Sequence, residues 1–125
     1  MLSLGASNDK RLLNELHNAI FNCDMVGDVA YLLYINDTPI GMARLKVTPE
    51  EMHILEVGIL EEYRSKGYGD FLTRSLMNVF IDVTDRIYSD YVSDYFLKFG
   101  FTRKGDQMVV ESDKLTFPRK CQCGK

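Results

Sequence analysis

Residues 52–60 read MHILEVGIL, with apolar side chains on both faces of a would-be strand. A strand of that pattern is covered on both sides, so it sits centrally in a sheet and needs helices above and below it. It leads into EEYRSKGYGDFLTRSL, residues 61–76. There two acidic residues, a cationic stretch with two glycines and a helix-like apolar stripe follow one another. A plain strand-to-helix connection needs at most one glycine and has no use for clustered cations. The junction therefore points to a bound anion as well as to a fold.

The flanking sequence supplies the rest of an α/β sandwich. Leu12, Leu13, Leu16, Ile20 and Phe21 recur at helical spacing and predict a helix from about Asp9 to Asn22, with Ser7 or Asn8 as its N-cap. VAYLLYIN and IGMARLKVT read as strands joined by a hairpin loop at Asn36–Pro39. Downstream of the glycines, Phe71, Leu72, Leu76, Val79, Phe80 and Val83 form one stripe. RIYS is a short strand, and SDYVSDYFLKFG reads as a helix entered by Ser89 or Asp90 and closed by Gly100 in a left-handed C-cap. FTRKG and QMVVES pair as a hairpin turning at Gly105–Asp106. The order α-β-β-β-α-β-α-β-β predicts one α/β domain over residues 1–117, with a central, mostly antiparallel sheet flanked by helices and a polar tail at 118–125.

Lys and Arg number 15 against 18 Asp and Glu, a net charge of −3. That balance argues against a nucleic-acid partner, whose affinity rests on neutralised phosphates. No apolar run approaches the roughly 18 residues of a membrane span, and the first residues lack the order of a signal peptide. Three cysteines do not make a disulfide framework. A cytoplasmic location without a membrane is the expectation. Cys121 and Cys123 are too closely spaced for a usual zinc pair and read as part of the tail; Cys23 reads as a small buried apolar residue.

The first N–H groups of a helix have no internal partner and lie at the positive end of its dipole. Gly67 and Gly69 let the backbone curl so that such groups converge on one anion, and Arg64 and Lys66 add charge at the rim. This suits a pyrophosphate. Two other phosphate loops fit badly: Lys66 precedes its glycine where the Walker pattern has it follow, and position 72 is Leu where a dinucleotide loop needs a third glycine.

RSKGYG at 64–69 and YFLKFGF at 95–101 resemble two signatures of the GNAT family of N-acetyltransferases, at the family's spacing. The likeness covers residues 39–111. It is weakest before residue 30, where the family opens with a strand and two helices and only one clear helix is readable here. The resemblance implies acetyl-CoA as cosubstrate and a small-molecule or peptide amine as acceptor, attacked directly in a ternary complex, by a monomer or homodimer. It implies that Arg64, Ser65, Lys66, Gly67, Tyr68 and Gly69 cradle the pyrophosphate. It implies that the backbone of Val57, Gly58 and Ile59 holds the pantetheine arm and the thioester carbonyl, Gly58 giving the arm room. Asp70 is expected to face solvent.

Attack by an amine needs a base, and the leaving thiolate needs a proton. His53, eleven residues before Arg64, stands where some members of the family carry a catalytic glutamate. Glu56, among apolar neighbours, is the second candidate, with a pKa raised by burial unless Lys46 or Arg44 pairs with it. The family's acid is a tyrosine at the position of Phe96, which would remain a cofactor contact but donates no proton. Tyr91 is a substitute hydroxyl, and Tyr88 and Ser93 lie nearby in sequence. Either water protonates the thiolate, or the chain is a non-catalytic acyl-CoA sensor or interaction module.

Overall fold

The computed structural model describes residues 1–117; the tail, with Cys121 and Cys123, lies outside the described residues. The strands are β1 (Leu2–Ser7), β2 (Ala30–Ile35), β3 (Thr38–Val47), β4 (Glu51–Ile59), β5 (Arg86–Ser89), β6 (Thr102–Lys104) and β7 (Gln107–Glu111). Helices α1 (Lys10–Phe21) and α2 (Tyr68–Phe80) accompany them, with short 3-10 turns at Glu61–Tyr63, Asp94–Phe99 and Ser112–Lys114. The seven strands form one mixed sheet in the order β1-β2-β3-β4-β5-β7-β6. Residues cluster into two compact units, Met1–Leu45 with Leu55–Leu76, and Lys46–Ile54 with Met77 onward.

In the first unit β1 pairs antiparallel with β2 from Leu2↔Ile35 to Ser7↔Ala30. This strand was not expected: Gly5, Ala6 and Ser7 are weak β-formers, and its full register with β2 outweighs them. Strand β2 turns into β3 through Asn36, whose φ of 55° suits a tight hairpin. Adjacent Leu32 and Leu33 are both 0% exposed because they point to opposite, covered faces. On one face Leu13, Leu16 and Ile20 of α1 pack with Ala30, Leu32 and Met42. On the other, Leu72 and Leu76 of α2 pack with Leu33, Ile40, Ala43 and Ile59. Each fully buried leucine contributes about 1.5–3 kcal/mol of transfer free energy. The N-cap of α1 is Asp9, not Ser7 or Asn8; its carboxylate accepts the Leu12 N–H, and Asn22 closes the helix in the left-handed region.

In the second unit β4 pairs with β5 in parallel, from Glu51↔Arg86 to Ile54↔Ser89. Strand β5 pairs antiparallel with β7, and β7 with β6. The unit's buried apolar residues include Met52, Ile54, Ile87, Phe96, Phe99, Phe101, Met108 and Val110. The helix expected from Ser89 is only the 3-10 segment Asp94–Phe99. Ser89 Oγ both donates to Tyr91 O and accepts the Tyr91 N–H, a local turn that withholds the helical start. Ser93 caps the later segment instead, and Gly100, at φ 98°, ends it as expected.

Three side chains assigned to the core stripe of α2 are exposed: Phe71, Val79 and Val83. The buried face is Leu72, Thr73, Leu76, Met77 and Phe80, one step of about 100° away from Phe71. Cys23 is exposed as well. Among the described residues no helix is long and apolar enough to cross a membrane.

Candidate functional site

The chain leaves β4 at Ile59, makes a 3-10 turn over Glu61–Tyr63 and enters α2 at Tyr68. Ser65 (φ 66°) and Gly67 (φ 85°) both occupy the left-handed region, so the backbone curls twice in three residues. Only Gly67 does so without steric cost. The first backbone bond into α2 runs from the Phe71 N–H to Gly67 O at 3.0 Å. The N–H groups of Tyr68, Gly69 and Asp70 thus precede the helical ladder and sit at the helix's positive end.

This loop walls a cleft of about 390 Å³. Val57, Gly58 and Ile59 of β4 form a second wall, and Ile20 and Phe21 at the end of α1 a third. The two stretches named from sequence, 57–59 and 64–69, are therefore brought together, with Lys66 outside the lining. Pairing of β4 with β5 extends only to Ile54, whose carbonyl accepts the Asp90 N–H at 3.0 Å. Residues 55–59 continue beyond that ladder, as an extended arm pairing with β4 would need.

Three positions singled out from the sequence have close neighbours within the protein. Arg64 lines the cleft, and its side chain is also engaged within the protein: its Nε donates to Ile59 O (2.8 Å) and its Nη2 to Ile20 O (3.3 Å). It clamps the loop to the strand it leaves and to the last turn of α1. Gly58 lines the cleft and is also closely approached by α1. A Cβ there would lie 2.4 Å from Ile20 Cγ2 and 2.6 Å from Phe21 Cζ. Asp70 does not simply face solvent; its Oδ2 accepts Arg74 Nε at 2.9 Å, with both side chains largely covered.

Both candidate bases are engaged. Glu56 Oε2 accepts from Arg44 Nε at 2.5 Å and pairs with His17 Nε2 at 2.6 Å. Burial alone would raise the Glu56 pKa, but these two partners outweigh it and hold the carboxyl below its ordinary value. The expected upward shift is thereby reversed. Arg44 was one of the partners considered; His17 was missed. Its position on the buried stripe Leu13-Leu16-His17-Ile20 was the available signal. His53 is not simply exposed. Its Nδ1 meets Asp90 Oδ1 at 2.8 Å, its Nε2 meets Glu51 Oε1 at 3.0 Å, and its ring stacks on Tyr88 at 4.5 Å. Burial would lower its pKa, yet the two carboxylates win and raise it. A ring held between two carboxylates favours the imidazolium, which has no lone pair for a substrate proton.

On the acid side, Phe96 is 0% exposed, against Tyr91, Tyr95 and Phe101, so its side chain offers no surface to a cofactor. Tyr91 is 39% exposed, and burial of its phenol raises the pKa, so it stays protonated near neutrality.

Residues 7–101 match the model of the Acetyltransferase (GNAT) family, a span that runs through both compact units. No curated protein matches the sequence. Among solved structures, the ribosomal-protein-S18-alanine N-acetyltransferase from Escherichia coli aligns with a TM-score of 0.71 at 12% identity, over 96% of this chain and 97% of that one. A GNAT family acetyltransferase from Brucella melitensis in complex with acetyl-CoA aligns at 0.68 and 12%, over 89% and 88%. A chain from Pyrococcus horikoshii aligns at 0.64 and 17% over 82% of this chain, which spans 44% of that longer one. At these identities the structural neighbours speak for the fold. With the family model covering most of its length, the chain belongs to the acetyltransferase (GNAT) family, whose cosubstrate is acetyl-CoA.

Proposed function

We propose that residues 1–117 act as one N-acetyltransferase domain that moves the acetyl group of acetyl-CoA to a primary amine of a small molecule or peptide. The observation that carries this reading is the cleft itself. One wall is a helix N-terminus with two left-handed residues before it, and the facing wall is the part of β4 beyond its ladder with β5. The first wall suits a pyrophosphate and the second an extended amide arm.

In this reading the N–H groups around Gly67–Gly69 hold the diphosphate, and Arg64 keeps the loop in place. The backbone of Val57–Ile59 holds the arm, and an N–H there receives the charge that develops on the thioester oxygen. The amine nitrogen attacks the carbonyl carbon, the C–S bond breaks, the nitrogen gives up one hydrogen to solvent as the amide forms, and the thiolate takes a proton from water. Glu56 and His53 are both committed to partners, so the amine enters already neutral, its proton going to solvent. That favours acceptors of low basicity. At pH 7.5 roughly a third of an α-amino group is neutral, against about 0.1% of a lysine side chain.

The competing reading, a non-catalytic acyl-CoA-binding module, draws on the buried Phe96 and the engaged bases. Release of free CoA thiol, followed with a panel of amines at saturating acetyl-CoA, separates the two. Amine-dependent thiol release, faster for α-amines than for lysine side chains, supports transfer. Cofactor binding with no release for any amine supports the module.

A further inference from the structure

His17 is a buried ionisable side chain, 3% exposed, with no part in the chemistry above. Its Nδ1 lies 2.7 Å from Cys23 O and its Nε2 2.6 Å from Glu56 Oε2. A carbonyl oxygen cannot donate, so Nδ1 carries the hydrogen of that bond, and Nε2 makes the contact to the carboxylate. The same Glu56 oxygen accepts from Arg44 Nε, while Arg44 Nη1 donates to Val26 O at 3.1 Å. One carboxylate oxygen on β4 thus gathers two basic side chains. Each of them reaches on to a carbonyl of the irregular segment that follows α1.

The last turn of α1 needs such ties. It has no basic residue of its own to meet its C-terminal carbonyls. The Ile20 carbonyl is taken by Arg64 from the glycine loop, and the Cys23 carbonyl by His17. The His17 ring also lies 4.6 Å from that of Phe21, which with Ile20 walls the cleft. On β4, Glu56 and Gly58 share the face that α1 covers, because side chains alternate along a strand.

We propose that His17 is a positioning residue for the cofactor cleft: by joining Glu56 to the Cys23 carbonyl it fixes the end of α1, and so sets where Ile20 and Phe21 stand against the arm of acetyl-CoA. The proposal rests on the reading of the cleft as the cofactor's seat. With both ring nitrogens engaged and almost no exposed surface, His17 itself touches no substrate.

The test compares wild type with His17→Ala and His17→Gln by calorimetric titration with acetyl-CoA, by kcat and KM, and by amide hydrogen exchange of residues 20–26. Glutamine can donate to Glu56 but cannot reach Cys23 O at the same time. His17→Ala should weaken acetyl-CoA binding roughly tenfold, raise its KM in step and leave kcat within about twofold, while exchange at 20–26 accelerates. His17→Gln should fall between, at about threefold, and carries the test alone if the alanine variant fails to fold. Unchanged affinity in both variants, unchanged exchange, or a loss in kcat with KM constant would overturn the proposal. Wild-type protein that binds no acetyl-CoA would overturn the reading of the cleft instead, and the service of His17 to the cofactor would go with it.

Discussion

Gly58→Ala is the substitution that most sharply separates packing from ligand room. The added Cβ would stand 2.4 Å from Ile20 Cγ2, with Phe21 Cζ and Cε1 at 2.6 and 2.9 Å. Ordinary carbon contacts begin near 3.5 Å, so something must retreat by about 1 Å. The Phe21 ring can turn, but Ile20 Cγ2 is bonded to its Cβ. Ile20 is also held in the cluster with Leu13, Leu16, Ala30, Leu32 and Met42. Overpacking of this kind costs about 1–3 kcal/mol. Gly58 is not among the residues of positive φ, so loss of unfolded-state freedom returns about 0.4–1 kcal/mol. The net expectation is a destabilisation of about 1–2 kcal/mol, or a fall in Tm of roughly 4–10 °C for a chain of this size. Urea unfolding with an unchanged m-value would show that stability and not compactness has moved. Because Ile20 and Phe21 wall the cleft, acetyl-CoA affinity should fall as well. A Phe21→Leu change should recover part of both losses, a coupling that a double-mutant cycle measures. If Gly58→Ala melts within about 1 °C of wild type, the close approach of α1 is not what requires glycine there, and the reasoning fails.

Arg64→Ala should loosen the loop from both Ile20 and Ile59 and weaken acetyl-CoA binding at low and high salt alike, since its guanidinium holds carbonyls; a loss that vanishes at high salt would restore a rim-charge role. Phe96→Tyr should lower stability by about 1–3 kcal/mol without raising turnover, because the hydroxyl loses its hydration in a fully buried site; faster thiol release would contradict this. Stability should fall at both ends of the pH range. Glu56, whose pKa is lowered, contributes above its ordinary 4.5 and loses that contribution as pH falls through its folded value. His53, whose pKa is raised, contributes below its ordinary 6.5 and loses it as pH rises through the higher value. Melting curves of Glu56→Gln and His53→Gln should be flatter on the acid and alkaline limbs respectively, and exchanged or unaltered limbs would refute the assignment.

What could be read from the sequence was what local chemistry determines. Gly67 beside a helix start announces a curled loop whatever the remainder of the chain does, and MHILEVGIL announces a central strand. The clamp made by Arg64 was not legible because its partners are carbonyls, which carry no residue signature, and Ile20 lies 44 positions away. Glu56 could be matched to Arg44 across a predicted hairpin, but His17 reaches it only once α1 is laid on β4. The segment after Ser89 shows helical spacing, yet periodicity alone does not distinguish an α-helix from a 3-10 turn delayed by a serine that bonds its own backbone. Strand β1 has Leu2 and Leu4 in alternation, too little to outweigh Gly5–Ser7 until β2 is there to pair with it.

The central claim is that the cleft beside Gly67 seats acetyl-CoA. Its most direct test is thermal unfolding with acetyl-CoA, free CoA and ATP, of wild type beside Gly67→Val, which forces a β-branched residue to φ 85°. Ligand at a hundred times its dissociation constant adds about 2.7 kcal/mol, a rise on the order of 10 °C. The account predicts that rise for wild type with both CoA forms and not with ATP, and its loss in Gly67→Val. No shift of wild type at millimolar acetyl-CoA, or an equal shift in the valine variant, would contradict it.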